Sequence, residues 1–527
     1  MQSIGSCGNA AMLSLQSLQS AGRTAASAPT AETSALQSDS FVSGSDKALA
    51  ESVMKELKSE DSRVLDEKTV AYPDNYGRVK HLALQLSNYA SGPIRRDMLN
   101  AYKTLFTEME PDTKFTIVVG SPRDRKDVEN IIASANVPNP ERIEFIQPDN
   151  LDLTVWARDQ MIGMYFPDDE SKTAITNQSM LHNWHADDEE VPQYIAGKYD
   201  SIVLDRDKRV VTDGGEVVSN RGETFIGGFS LMATAKKLKS LAMKNPDFAK
   251  QVQDYAEEKM GMKVKMSGQE NPFYFDLIPK EQAEGMHEQP YLIADNPDYK
   301  KPELKSGEMG EDEMWMNVAH DLFEKQFGQK VTIMGLDDPT TPRIEGPAND
   351  HLDMGLTPLD EHTMCVADPS LAKRAFASMS DSRRGEVASY LSSVSGQKYS
   401  GSDLKSMESM RYYPNQQADF DAYADKLKKE GYRVVRVPYA EPGWGTPNIS
   451  FNNCLMERFK REDGTEVKRI FLPVYGIDEV DNLAISTYQK EGYEVHPMPL
   501  ANLATRKGAL RCMSQWLQRE QHLEKFE

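Results

Sequence analysis

An α/β fold is predicted by three observations. Short runs of β-branched and apolar residues recur along the chain, helical patterns separate them, and the texture repeats at irregular spacing. Between residues 114 and 166 the order is strand, helix, strand, strand, which is a compact α/β unit. Repeats spaced so unevenly imply a ring or array of such units, some carrying insertions.

Taken in order, residues 1 to about 45 are rich in Ser, Ala and Gln, lack apolar periodicity, and read as a disordered leader. Asp46 is placed to cap a short helix with Leu49, Val53 and Leu57 on one face, so 1–65 stands apart from a large domain over 66–527. A stronger helix follows Gly92-Pro93, with Ile94, Met98, Leu105 and Phe106 as its stripe. The first unit has strands at 115–119, 143–146 and 155–166, with a helix over 127–135. Strands at 201–204, 210–211 and 225–226 make a second unit, and 331–334 with 364–367 a third. A fourth holds 432–435, 449–455 and 470–472; a helix over 484–491, the run 494–497 and the Cys512 segment close the chain. Two inserts interrupt the pattern, a charged one at about 232–312 and a helical, Ser-rich one at about 370–414, both between strand units where insertions are tolerated.

Composition narrows the function classes. Hydrophobic residues make up 39% of the 527, enough for a substantial core. No stretch approaches the roughly 20 apolar residues of a membrane span, and the N-terminus lacks a basic region followed by an apolar run. That pattern points to a cytoplasmic protein, or to one exported without a conventional signal peptide, since a Ser-rich leader can serve as an address. The net charge of −21 repels phosphate backbones and excludes nucleic acid as the main partner. Four cysteines without a CxxC pair argue against a disulfide framework or a zinc ribbon. Nothing in the sequence sets an oligomeric state.

Four fragments carry candidate chemistry: 156–159 (Trp-Ala-Arg-Asp), 213–216 (Asp-Gly-Gly-Glu), 351–353 (His-Leu-Asp) and 511–512 (Arg-Cys). All four are expected where strands end. Arg511 and Lys507 place positive charge near Cys512, which favours the thiolate; the bland alternative is a buried structural thiol. His351 and Asp353, two apart on an extended chain, point to one side. The paired glycines let the backbone bend and approach something closely. Singly, Asp159 could be a surface partner of Arg158, and His351 a satisfied core histidine. Together, a thiol, an imidazole and several carboxylates exceed what a cysteine protease needs, whereas a guanidinium, cationic and rich in N–H donors, needs several carboxylates. Cys365 and Cys454 lie in strand-like text and read as structural. The run 182–190 (His-Asn-Trp-His-Ala-Asp-Asp-Glu-Glu) offers ligands for a divalent cation, but a solvated acidic loop is the favoured reading, and neither metal nor cofactor is expected.

These fragments resemble the guanidine-modifying enzymes of the pentein fold, over roughly 114–517 without the inserts. Residues 511–514 (Arg-Cys-Met-Ser) and 351–353 are similar to arginine deiminases, 156–159 to agmatine deiminases, the continuation 159–165 to peptidylarginine deiminases, and 213–217 with 225–227 to dimethylarginine hydrolases. The resemblance implies an α/β propeller of five ββαβ-type units around a central site. It implies that Cys512 attacks the guanidinium carbon, that His351 protonates the departing amine and then activates water, and that Asp213 orients His351. Asp159 and Asp353 clamp the guanidinium, and Trp156, Arg158 and Glu216 join the substrate side, Glu216 either behind the site or solvated. Two departures touch the entrance: 507–510 is Lys-Gly-Ala-Leu where family members often carry Gly-Gly, and the Gly-Pro that follows the Trp-x-Arg-Asp motif is absent. The expected reaction is hydrolysis of a guanidine, on free arginine, agmatine, a modified arginine or protein arginine, to a ureido product and ammonia. Amidino transfer on the same scaffold and a non-catalytic binder are the alternatives.

Overall fold

The run Val79–Leu86 has five apolar residues in eight and forms a strand buried at every position but Lys80, as expected of a strand covered on both faces. The sequence reading passes over it, yet it centres the first sheet. The computed structural model describes residues 65, 67–181, 183–243, 246–266, 275–277, 293–295, 303–336, 348, 351–405, 416–441 and 446–521. The predicted leader and its Asp46 helix lie outside these residues, as does His182.

Five sheets share one plan: an antiparallel hairpin-like pair, then a helical crossover, then a strand parallel to the second. In the first, Val79–Leu86 pairs antiparallel with Ser514–Arg519 from the far end of the chain and parallel with Lys114–Val119, which pairs on to Ile143–Ile146. In the second, Gly163–Phe166 and Asp169–Thr176 are antiparallel and Ile202–Asp205 adds in parallel. The third joins Val217–Asn220, Glu223–Gly227 and Lys330–Met334 in the same way. The fourth joins Leu356–Asp360, Thr363–Asp368 and Arg433–Ala440. The fifth joins Leu455–Lys460, Glu466–Val474 and Glu494–Pro499. No sheet among the described residues closes into a barrel.

Expected strands at 115–119, 143–146, 201–204, 225–226, 331–334, 364–367, 432–435 and 470–472 are present, whereas Asp169–Thr176, Val217–Asn220 and Leu356–Asp360 were not expected, and partnership is regrouped. Residues 331–334 pair with 223–227 rather than with 364–367, and 163–166 pairs with 169–176 rather than with 143–146. The expected strand at 155–159 is a turn, since its polar and charged side chains are directed to buried partners rather than along a ladder. Val210 and Val211 form no strand; Val211 makes an isolated bridge to Ser179. The expected run 449–455 is split by a bend at 451–453, where Asn452 and Asn453 turn inward.

Helices cover the sheets. Gly92–Glu108 buries Met98, Tyr102, Leu105 and Phe106 against the first sheet, where Phe106 meets Phe115 edge-on at 4.8 Å. Each such side chain contributes roughly 1.5–3 kcal/mol of burial. The helix predicted from Asp127 begins at Pro122 because Ser121 caps it, accepting the Asp124 N–H, and proline suits the first turn. The third crossover ends in Glu311–Phe327, whose apolar face packs with Gly228–Ala242 in one core, so the expected insert boundary at 232 falls inside a helix. In the fourth unit, Pro369–Ser378, Asp381–Ser395 and Gln416–Lys429 fill the crossover. No helix among the described residues is long and apolar enough to cross a membrane.

Candidate active site

Each hairpin is entered through a short irregular segment, and those five segments carry the candidate residues. Residues 156–159 precede Gly163, 213–216 precede Val217, 351–353 precede Leu356, 452–453 precede Leu455 and 511–512 precede Ser514. The fragments therefore sit before the first strand of a unit, not at strand ends as expected. Side chains leaving a turn are free of the ladder and can point inward together.

The expected residues do meet. The ligating atoms of His351, Asp353 and Cys512 lie within 4.8 Å of one another. Asp213 Oδ2 is 3.4 Å from His351 Nε2, and its other oxygen accepts the Leu181 N–H at 2.8 Å. Asp159 Oδ1 is 3.9 Å from His351 Nδ1. Cys512 Sγ is 3.8 Å and 4.0 Å from the two oxygens of Asp353. The glycines serve close approach: a Cβ at Gly215 would stand 2.3 Å from His351 Nδ1, and one at Gly214 would stand 2.1 Å from the Arg158 carbonyl oxygen. Trp156 is buried with its ring over Gly508, beside the Cys512 turn.

Several expectations are corrected. Asp353 lies in the 3-10 turn Leu352–Met354, not on an extended chain. Arg511 is no free cation beside the thiol. Its Nε donates to Asp74 and its Nη1 to Asp353, both at 2.8 Å, and its Nη2 donates to the Val217 carbonyl at 2.7 Å. Lys507 is engaged by Glu441. Arg158 was expected on the substrate side, but its guanidinium lies 3.8 Å over the Trp516 ring, because a planar cation in the core is best held on an aromatic face. Its backbone N–H donates to the Cys512 carbonyl at 3.0 Å, so it braces the thiol-bearing turn. Glu216 is buried, not solvated, with its carboxylate seated where a side chain at 227 would be. Nor is 187–190 a solvated acidic loop: Asp188 is fully buried and accepts from Gln85 and from the Thr154 N–H, supporting the 154–159 turn.

Electrostatics follow from burial. Desolvation, then Asp353, pushes the Cys512 thiol up to about 11, with His351 opposing. Burial resists a charge on His351, yet Asp159 and the hydrogen bonds to Asp213 and Cys512 outweigh it and hold the imidazole well above its ordinary value. An ion pair near 4 Å is worth about 4 kcal/mol at an effective dielectric of about 20, which explains the outcome. Desolvation raises Asp159 well above the carboxylate range; His351 opposes the shift, and the crowd of Asp213, Asp353 and Asp188 adds to it. Asp159 Oδ1 is buried and accepts no hydrogen bond. The site thus holds a neutral thiol, an imidazolium and an excess of acid, an arrangement suited to a cation. Cys365 is pushed up to about 12 by burial and Cys454 also upward, as befits structural thiols. A metal fits poorly at His351, Asp353 and Cys512, since Arg511 holds Asp353 and the imidazole keeps its proton. At the second cluster, His320, Asp321 and Glu324, the ligand atoms are engaged by the Val331 carbonyl, by Tyr255 and Lys259, and by the Val331 N–H.

The sequence reading misses Asn453. Its Oδ1 accepts the N–H groups of Ala509, Arg511 and Cys512 at 3.1, 3.0 and 3.2 Å, and its Nδ2 lies 3.1 Å from Cys512 Sγ. Two asparagines inside an otherwise strand-like run are a visible signal, because asparagine is depleted in strands.

The chain is, then, an α/β protein of repeated hairpin–helix–strand units with a buried Cys, His and carboxylate cluster at the hairpin entrances. No family model and no curated protein matches it. Among solved structures it is similar to an agmatine deiminase of C. jejuni, at 13% identity and TM-score 0.46, covering 86% of this chain and 98% of that one. It is also similar to an agmatine deiminase of Enterococcus faecalis, at 13% identity and TM-score 0.47, covering 87% and 99%. The amidinotransferase SxtG from Microseira wollei matches at 9% identity and TM-score 0.37, covering 87% and 99%.

Proposed function

We propose that this protein is a cysteine-dependent guanidine hydrolase of the pentein type, with its five units arranged as an α/β propeller around the site. The observation that carries the reading is the buried Asp159 oxygen that accepts no hydrogen bond and stands 3.9 Å from His351, facing the His351 and Cys512 cluster. A buried carboxylate oxygen without a hydrogen-bond donor is costly, and a guanidinium supplies N–H donors and charge together.

In this reading the substrate cation lies against Asp159 and the free face of Asp353. Its charge offsets the acid that holds the thiol neutral, and the Cys512 proton leaves to solvent. The thiolate attacks the guanidinium carbon, forming a C–S bond. His351, oriented by Asp213, gives its proton to one nitrogen, the C–N bond breaks, and ammonia departs from a thiouronium on Cys512. Neutral His351 then takes a proton from water, and the hydroxide adds to the same carbon. The C–S bond breaks with its electron pair returning to sulfur, the remaining hydroxyl proton leaves with ammonia as ammonium, and Cys512 regains a proton from solvent as the product departs. The balance is one guanidinium and one water to one ureido product and one ammonium.

The test is an assay of ureido product and ammonia with free arginine, agmatine and an arginine-containing peptide. Activity is expected with at least one of these, and Cys512→Ser is expected to lower it by about 10³-fold or more. Equal rates for the variant and the parent would discard the mechanism. Product that appears only with an added amine acceptor, without ammonia, would instead mark amidino transfer.

A further inference from the structure

Four of the five hairpin entrances supply residues to the chemistry proposed above: Cys512, Asp159, Asp213, and His351 with Asp353. The fifth supplies Asn453, which is fully buried. Burying an amide without partners costs several kcal/mol, so its contacts explain its presence. Three backbone N–H groups, of Ala509, Arg511 and Cys512, converge on one terminal atom of the side chain. Only the carbonyl oxygen can accept them, which fixes the amide orientation by chemistry. The amino group is thereby turned to Cys512 Sγ, 3.1 Å away.

We propose that Asn453 is a positioning residue for the nucleophile, its oxygen shaping the 509–512 turn and its amino group donating an N–H to the Cys512 sulfur in favour of the thiolate. The assignment rests on Cys512 being the nucleophile. It concerns the ionisation of the sulfur, so it can be tested without any substrate.

Asn453→Asp separates the two halves of the role. The carboxylate keeps the oxygen that accepts the three backbone donors and replaces the N–H donor with a second, repelling oxygen. The experiment follows alkylation of Cys512 in the full chain by iodoacetamide, at pH values of about 7 to 9.5, with mass spectrometry of the Cys512 peptide. Below the thiol midpoint the logarithm of the rate rises with pH in parent and variant alike. The Asp variant is expected to run parallel and at least about tenfold lower while remaining folded by circular dichroism. Asn453→Ser, too short to reach the sulfur, is expected to shift the line in the same direction and guards against misfolding of the Asp variant. Parent-like rates in a folded variant overturn the proposal; so does loss of the fold in both variants, which would mark a purely structural residue. A chain that hydrolyses no guanidine yet shows Asn453-dependent alkylation retires the activity and leaves this assignment standing.

Discussion

Burial and neighbouring acid push Asp159 and Cys512 both upward, and a cation between them relieves both at once. The proposed function therefore makes Asp159 a binding group more than an activating one. Asp159→Asn is expected to lower kcat/KM by about 2–5 kcal/mol, carried mainly by KM, because the charge pair to the substrate is lost. Steady-state kinetics with the best guanidine substrate measures it, and an unchanged KM would place the cation elsewhere. At this scale the candidates Cys512, His351, Asp213, Asp159 and Asp353 were legible as residue types in sequence. The engagement of Arg511 with Asp74 was not, because the two are 437 residues apart and nothing local to either announces the other.

At the scale of elements, the informative parts are the turns that lead into the hairpins and the strands that anchor them. Strand Ile202–Asp205 ends on a buried carboxylate that accepts the Leu65 N–H at 3.2 Å. Burial raises it to about 7 from an ordinary value of 3.8. The folded chain therefore holds this proton where the unfolded chain has released it. Its stabilising effect is complete below pH of about 4 and is lost as pH rises through about 7. Asp205→Asn, always neutral, should remove that dependence and exceed the parent by roughly 2–4 kcal/mol above pH 7. Urea unfolding at acid and alkaline pH checks it; a variant with a parental pH profile would show that Asp205 ionises normally. Strands with continuous apolar runs were readable, since such runs are a local property, whereas polar-rich ones such as Asp169–Thr176 were not. Turn content at 155–159 and 451–453 was not, since polar residues inside apolar text read as strand until their buried partners are known.

Over the whole molecule, segments near the two ends of the described residues meet in one sheet, with Ser514–Arg519 beside Val79–Leu86. Arg519 secures that closure. Its buried guanidinium donates to the carbonyls of Asp74, Tyr76, Gly77 and Met456, and lies 4.9 Å from the Trp516 ring. Arg519→Ala leaves several buried carbonyls without donors and should cost about 3 kcal/mol or more. Thermal and urea unfolding measure the loss, and a neutral outcome would mean that water replaces the guanidinium. By itself the sequence determined the α/β class, the repetition of strand and helix, and the residue types of a thiol, imidazole and carboxylate site, because these follow from local periodicity and side-chain chemistry. Only the tertiary structure decided which strands pair, which cations are already spent, and that Asn453 faces the sulfur. Those are contacts between residues tens to hundreds of positions apart, and no local pattern records them.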